Sequence, residues 1–302
     1  MDALRAWIKA RSAIEAGDEV ATRAAVPVEL MIDGAVVPGA QIVAMGGTCA
    51  PDRAQLLGQQ VLDGLQAKGV RAVYGVASAE WPAETLEALG FRPMLELSLR
   101  SFYLSLGVFG DVFESKGPHP LRAAAAFARR LRQKMIEVSF DDGWLESAAR
   151  VSEARGEAMG LSVRRTREYL RWRYKDAPLR HYRLLVLRRN AGAGIDGYAV
   201  VEPFEPEPDR IGVRVVDHWS RSDDRVGDPG FMVELAMWCL AERASVVQAL
   251  GVQGSSLDGL FKRTGGFKKA WSGHLWWRGL GAEPRMPRAD LVSWRAGDLL
   301  DY

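Results

Sequence analysis

The sequence has almost no cysteine. Its two, Cys49 and Cys239, stand far apart, and neither has a metal-ligand partner at short spacing. That excludes a disulfide-stapled secreted scaffold, and the expectation is reduced, cytoplasmic thiols and no metal. Net charge is nearly absent as well: 40 Lys and Arg against 38 Asp and Glu give +2 at pH 7. A chain so balanced has no overall pull toward nucleic acid or an anionic membrane, although its arginines can cluster locally. Long apolar runs are missing. None approaches ~20 residues, so no membrane span is expected. The opening MDALRAWIKARSAIEAGDEV carries charges throughout and lacks the apolar core of a signal peptide. What is present is globular composition, 48% hydrophobic and 26% charged, in 302 residues, room for two domains of ordinary size.

Residues 1 to about 25 suit a short helix with a weak stripe of Leu4, Trp7, Ile8 and Ile14. Val28 to Ile32 suits a strand, Asp33-Gly34 a hairpin turn and Ala35 to Val37 its return. Then comes the unit around which the first part is organised, Gln41 to Gly69 (QIVAMGGTCAPDRAQLLGQQVLDGLQAKG). It reads as strand, tight polar loop and amphipathic helix, with Leu57, Val61, Leu62 and Leu65 at helical spacing. Val70 to Ala77 suits a buried strand, Trp81 to Leu89 a short helix with Pro82 in its first turn, and Leu95 to Tyr103 an alternating strand.

Gly107 to Pro120 has linker composition, and Leu121 to Ile136 a basic, Ala-rich helical pattern. Helices are expected at Trp144 to Met159 and at Arg164 to Tyr174, where Arg and aromatics interleave. Aromatics packed inward with arginines outward are the ordinary reason for such a pattern. Strands follow at Tyr182 to Leu187, Gly197 to Glu202 and Ile211 to Trp219, a helix at Phe231 to Arg243, a strand at Ser245 to Val252 and a short helix at Leu257 to Arg263. The predicted domains are 1–108, a linker and basic helix at 109–140, and 141–302.

The loop of the first unit enters its helix through Arg53-Ala54-Gln55-Leu56-Leu57-Gly58. A helix start carries unpaired N–H groups and the positive end of the dipole, so it is a ready anion site. An Arg at its mouth adds to this; an ordinary β–α corner that contains an Arg has the same pattern. The second part repeats the order of elements, with RVGDPG (Arg225 to Gly230) opposite RAQLLG and LFKRTGGF (Leu260 to Phe267) opposite LEALGF (Leu86 to Phe91). This reads as an internal duplication of whole domains.

These features together resemble the GNAT acyltransferase superfamily in a tandem two-domain form, similar to bacterial members associated with surface polysaccharides. The segments REYLRWRYKDAP and WRAGDLLDY add to the likeness. The resemblance implies an α/β fold: two GNAT-like domains, each a mixed, mostly antiparallel sheet flanked by helices. It implies acetyl-CoA or another acyl-CoA as co-substrate, its pyrophosphate on backbone amides of an Arg/Gln-x-x-Gly-x-Gly/Ala loop. Arg53 and Gly58 match the ends of that motif, and Leu56 departs from its middle Gly. Asp228 departs likewise in the second half, where a carboxylate would repel phosphate. The implied cofactor-binding residues are Met45, Gly46, Arg53, Ala54, Gln55, Leu57 and Gly58.

The implied chemistry is direct acyl transfer to a small amine, an amino sugar or amino acid derivative, in a ternary complex. A backbone N–H near Met45 or Gly46 would hold the oxyanion. The catalytic candidates are His218 and Asp217, late on a strand of the second half; a hydrogen-bonded strand His beside Trp219 is the plainer reading. Glu80 and Glu202 are weaker candidates, and Cys49 and Tyr174 are read as packing. Where many members carry an acidic Tyr before Leu-Gly-Phe, Leu86 stands here. Two alternatives remain open: a non-catalytic ligand-binding or scaffold module, and a transferase using acyl carrier protein, docked on Arg129, Arg130, Arg132 and Lys134. The resemblance also leaves too few residues before Ile42 for the usual first elements. Either the N-terminus is truncated or the other half supplies the edge.

Overall fold

A computed structural model describes residues 6–8, 14–17, 22–44, 49–78, 81–104, 133–156, 160–178, 180–189, 194–220, 229–252 and 267–280. The first half contributes β1 (Ile14–Gly17), β2 (Thr22–Ile32), β3 (Ala35–Ala44), α1 (Pro51–Ala67), β4 (Ala72–Val76), α2 (Ala83–Ala88) and β5 (Arg92–Tyr103). The second contributes β6 (Gln133–Val138), α3 (Asp142–Gly156), β7 (Leu161–Val163), α4 (Arg167–Leu170) running into a π-turn (Arg171–Lys175), β8 (Arg183–Arg189), β9 (Ile195–Phe204), β10 (Ile211–Ser220), α5 (Pro229–Ala241), β11 (Ala244–Val252) and β12 (Phe267–Gly279).

Three expectations need correction. Residues 6–8 are helical, but β1 and the start of β2 occupy the rest of the predicted N-terminal helix that is described. Pairing of β1 with β2 satisfies their backbone groups there. Residues 133–138 of the predicted basic region form strand β6, paired antiparallel with β8; its Met135 is buried while Lys134 is exposed. The third predicted helix is α only over Arg167–Leu170, capped by Thr166, whose Oγ1 accepts from the Tyr169 N–H at 3.1 Å.

The hairpin at Asp33-Gly34 forms as the sequence suggests, both residues with positive φ (47° and 80°). Beyond it β3 runs unbroken through Pro38-Gly39. Gly39 is required there, because a Cβ would lie 2.5 Å from Leu30 Cδ1.

Instead of two sheets the strands form one, twelve strands wide, in the order β1-β2-β3-β4-β12-β5-β11-β10-β9-β8-β6. The centre is an exchange. Strand β12 of the second half lies between β4 and β5 of the first, and β5 lies between β12 and β11 of the second. Outward from this centre the halves match: β3 is parallel to β4 as β10 is parallel to β11, and each of β3 and β10 is then followed by an antiparallel neighbour. Strand β7 adds to the β2 edge at Leu30–Ile32, and the Arg164 N–H donates to the Glu29 carbonyl at 2.7 Å. So the second half covers part of the first half's open edge.

One sheet face carries a core that runs through both halves. It takes Leu30 and Tyr74 from the first, Val186 and Val200 from the second, and is covered by Leu145, Ala148 and Val151 of α3. The other face is covered separately, by α1 and α2 over Ile42, Val73 and Trp276, and by α5 over Val201, Val213 and Ala249. None of the described helices is long and apolar enough to cross a membrane.

Candidate functional site

Strands β3 and β4 pair in parallel only from Gly39 to Gln41 and from Ala72 to Tyr74. Beyond that β3 continues to Ala44 and β4 to Val76 without partnering each other. The gap is kept open by side chains: Ile42 is buried over Gly75, where a Cβ would collide with Ile42 Cγ1. Helix α1 starts above this splay.

The start lies earlier than the motif match placed it. Ala50 is the N-cap, Pro51 the first helical residue, and the Ala54 N–H already donates to the Ala50 carbonyl at 2.9 Å. Thus Gln55, Leu57 and Gly58 lie inside the helix, where their N–H groups serve its own ladder. Ala54, Leu57 and Gly58 are buried. Gly58 is a packing residue: a Cβ would collide with Leu89 Cδ1 and lie 3.1 Å from the Trp81 ring. Only Arg53 of the predicted set is both in the first turn and exposed. The anion-accepting position of the helix therefore falls at Ala50–Arg53. Met45 and Gly46 lie outside the described residues, as does Glu80.

Beneath this helix start the structure places a charge that sequence reading missed. Arg23 on β2 stands opposite Ala44, the last residue of β3, and is fully buried. Its Nη2 lies 3.8 Å from Cys49 Sγ, and its guanidinium 5.3 Å from the Trp81 ring centroid. No local signal marks it, because it sits in a stretch read as helix and its neighbours come from α1 and the approach to α2.

The second splay is built alike and filled. Strand β10 pairs with β11 only over Ile211–Val215, and a bulge follows at Val216. Asp217 is completely buried and accepts from Arg165 Nε at 2.8 and 3.1 Å; Arg165 is itself fully buried. The Tyr174 and Tyr198 hydroxyls donate to Asp217 at 3.2 Å each. Arg165 also donates to the Val163 carbonyl at 2.7 Å and lies 5.0 Å from the Trp219 ring. Burial, with the Asp217 charge second, pushes both phenols well above their ordinary value, so they remain neutral donors. Fully buried and held by a guanidinium and two phenols, the Asp217 carboxylate is committed to this internal cluster. His218 is 7% exposed and stacks on Phe231 of α5 at 5.9 Å, so it too is a packing residue. Glu202 is ion-paired with Arg180 at 2.5 Å and Arg214 at 3.4 Å. Tyr174 is buried, as its packing role requires.

A cavity of about 1130 Å³ lies elsewhere, between β2–β3 and α3–α4, and none of the predicted site residues lines it. Its charged walls are already paired, Arg164 with Glu29 at 2.9 Å and with Glu153 at 2.5 Å.

The overall fold recurs in solved structures. The chain superposes on a GCN5-related N-acetyltransferase from Anabaena variabilis with a TM-score of 0.60 at 12% identity, covering 86% of this chain and 60% of that one. The fold is that of the GNAT superfamily. A second match is a conserved protein of unknown function from Enterococcus faecalis, a probable N-acyltransferase (TM-score 0.59, 11% identity, 86% and 59% covered). A third is Saccharomyces cerevisiae N-myristoyltransferase with bound myristoyl-CoA (TM-score 0.57, 12% identity, 88% and 68% covered). The chain thus spans about three fifths of the length of the first two of these proteins. No family model and no curated protein matches the sequence.

Proposed function

We propose that the chain is an acyl-CoA-dependent N-acyltransferase that binds its donor in the first half. The observation that carries this is the β3–β4 splay with the start of α1 above it and the buried Arg23 guanidinium beneath. Helix dipole and guanidinium together favour a polyanion at Ala50–Arg53. An acyl-CoA pyrophosphate suits that position, and the splay accepts the pantetheine arm. The acceptor is a small amine, an amino sugar or amino acid derivative. The matching order of the two halves supports reading the chain as a duplication in which the second splay has been filled and stabilised by Asp217 and Arg165. It follows that one chain binds one donor.

A non-catalytic GNAT-like module is favoured by one observation: Leu86 is fully buried where an acidic tyrosine would be expected. Docking of an acyl carrier protein rested on Arg129, Arg130, Arg132 and Lys134; of these only Lys134 is described, exposed on β6. Calorimetry separates the readings. Acetyl-CoA is expected to bind with a stoichiometry of one. Arg53→Glu replaces an attractive charge at the helix mouth with a repulsive one and should weaken binding by at least about tenfold. A stoichiometry of two, or unchanged affinity in a folded Arg53→Glu protein, would show that the donor site has been misplaced.

A further inference from the structure

At the centre of the sheet, two titratable residues face each other across the exchange. His274 on β12 stands directly opposite Glu96 on β5. The two are equivalent by topology. His274 precedes Leu275, which pairs with Val76 at the end of β4; Glu96 precedes Leu97, which pairs with Val252 at the end of β11. Leu275 and Leu97 both belong to the core under α3. Strand alternation therefore turns His274 and Glu96 to the other face, the side of α1 and α2, as it does Trp276. Directly opposed side chains in an antiparallel pair lie about 5 Å apart at Cβ. His274 is exposed and Glu96 half-buried.

The position matters because β12 is the immediate neighbour of β4, which forms one wall of the open splay. His274 lies just beyond the level of Val76, where β4 ends and the splay is widest, on the face from which α1 starts. We infer that His274 is the proton acceptor for the amine and that Glu96 is its positioning residue, an inference that rests on the proposed acyl transfer. His274 takes one proton from the acceptor's ammonium group. The neutral nitrogen forms the C–N bond to the thioester carbonyl carbon, and the C–S bond breaks with its electron pair on sulfur. The leaving thiolate takes the second nitrogen proton, and His274 returns its own to solvent. The products are the amide, CoA thiol and one proton.

Arg100 lies further along β5. Arg278, on β12 itself, donates to the Leu89 carbonyl, and Arg23 is turned onto Trp81. Strand β4 contributes no charge there. Glu96 is the anion placed directly opposite the imidazole.

The test needs no knowledge of the natural acceptor. Acetyl-CoA binding is first measured by calorimetry. The chain has four histidines, so the His274 Cε1–H resonance can be assigned by its loss in His274→Gln. Acetyl-CoA is expected to shift it and to leave His181 in place. Glu96→Gln should lower CoA-thiol release at unchanged acetyl-CoA affinity and Glu96→Asp should restore much of it, which a purely structural Glu96 would not do. With glucosamine as probe amine, CoA-thiol release should fall about a hundredfold in His274→Gln. A resonance that bound acetyl-CoA leaves in place, or turnover unchanged in His274→Gln, overturns the inference while the donor site stands. If acetyl-CoA does not bind at all, the proposed function fails and this inference with it.

Discussion

Asp217 and His218 are neighbours in the chain and belong to different cores. The bulge at Val216 and strand alternation send Asp217 to Arg165, Tyr174 and Tyr198, and send His218 to Phe231 on α5. Both residue types suit acid–base chemistry, yet burial decides their use. Removing one member of a buried, hydrogen-bonded pair leaves the other charge stranded, at a cost of about 3–5 kcal/mol. Asp217→Ala should therefore lower the thermal midpoint sharply, while any folded fraction keeps its affinity for acetyl-CoA. A mutant of wild-type stability that has lost turnover would restore Asp217 as a catalytic group.

At the scale of elements, spacing alone did not decide where α1 begins. The Arg53…Gly58 match suggested a loop, but Pro51 is well suited to a first helical turn, and the helix claims everything after it. Gly58 is then needed for contact between α1 and α2, not for phosphate. Gly58→Ala should cost about 1–3 kcal/mol from overpacking against Leu89 and Trp81 and leave acetyl-CoA affinity unchanged in the folded protein. A loss of affinity at full stability would return Gly58 to the donor site. The π-turn at Arg171–Lys175 has the opposite history. Its wider turn lets three successive residues, Trp172, Arg173 and Tyr174, all be buried, which an α-helical pattern does not anticipate. Trp172 stacks on Trp7 at 4.7 Å, and Tyr174 reaches Asp217, so this one turn touches both halves.

For the whole molecule, the central exchange is decisive. Leu275 and Trp277 of β12 are buried in the core that also holds Leu95, Leu97 and Leu99 of β5, and the Gln248 amide donates to Ser101 Oγ at 3.1 Å across the β11–β5 junction. Neither half has its own central strand in place without the other. Expressed separately, residues 1–110 and 111–302 should each be insoluble or self-associated, because the first would expose the facing edges of β4 and β5. Mixing or co-expression should restore one cooperative transition. A soluble monomeric half that melts cooperatively near the full-length temperature would refute this shared core.

The sequence by itself determined most of the elements. Hydrophobic period, the Asp33-Gly34 turn and Pro51 act locally, so the body of α1, α5 and β9–β11 were legible within a few residues, and of β2 only its end from Val28. The order of those elements carried the resemblance to GNAT proteins, and with it the neighbourhood of the proposed donor site. Tertiary structure alone decided what stands beside what. Arg23 reaches Cys49, Arg165 reaches Asp217, and His274 meets Glu96 through strand pairings between distant segments, and no local pattern encodes such a register. The same holds for the single sheet. A strand's alternation specifies which of its faces is buried but not which neighbour it joins, and only packing of both halves around β5 and β12 makes that choice.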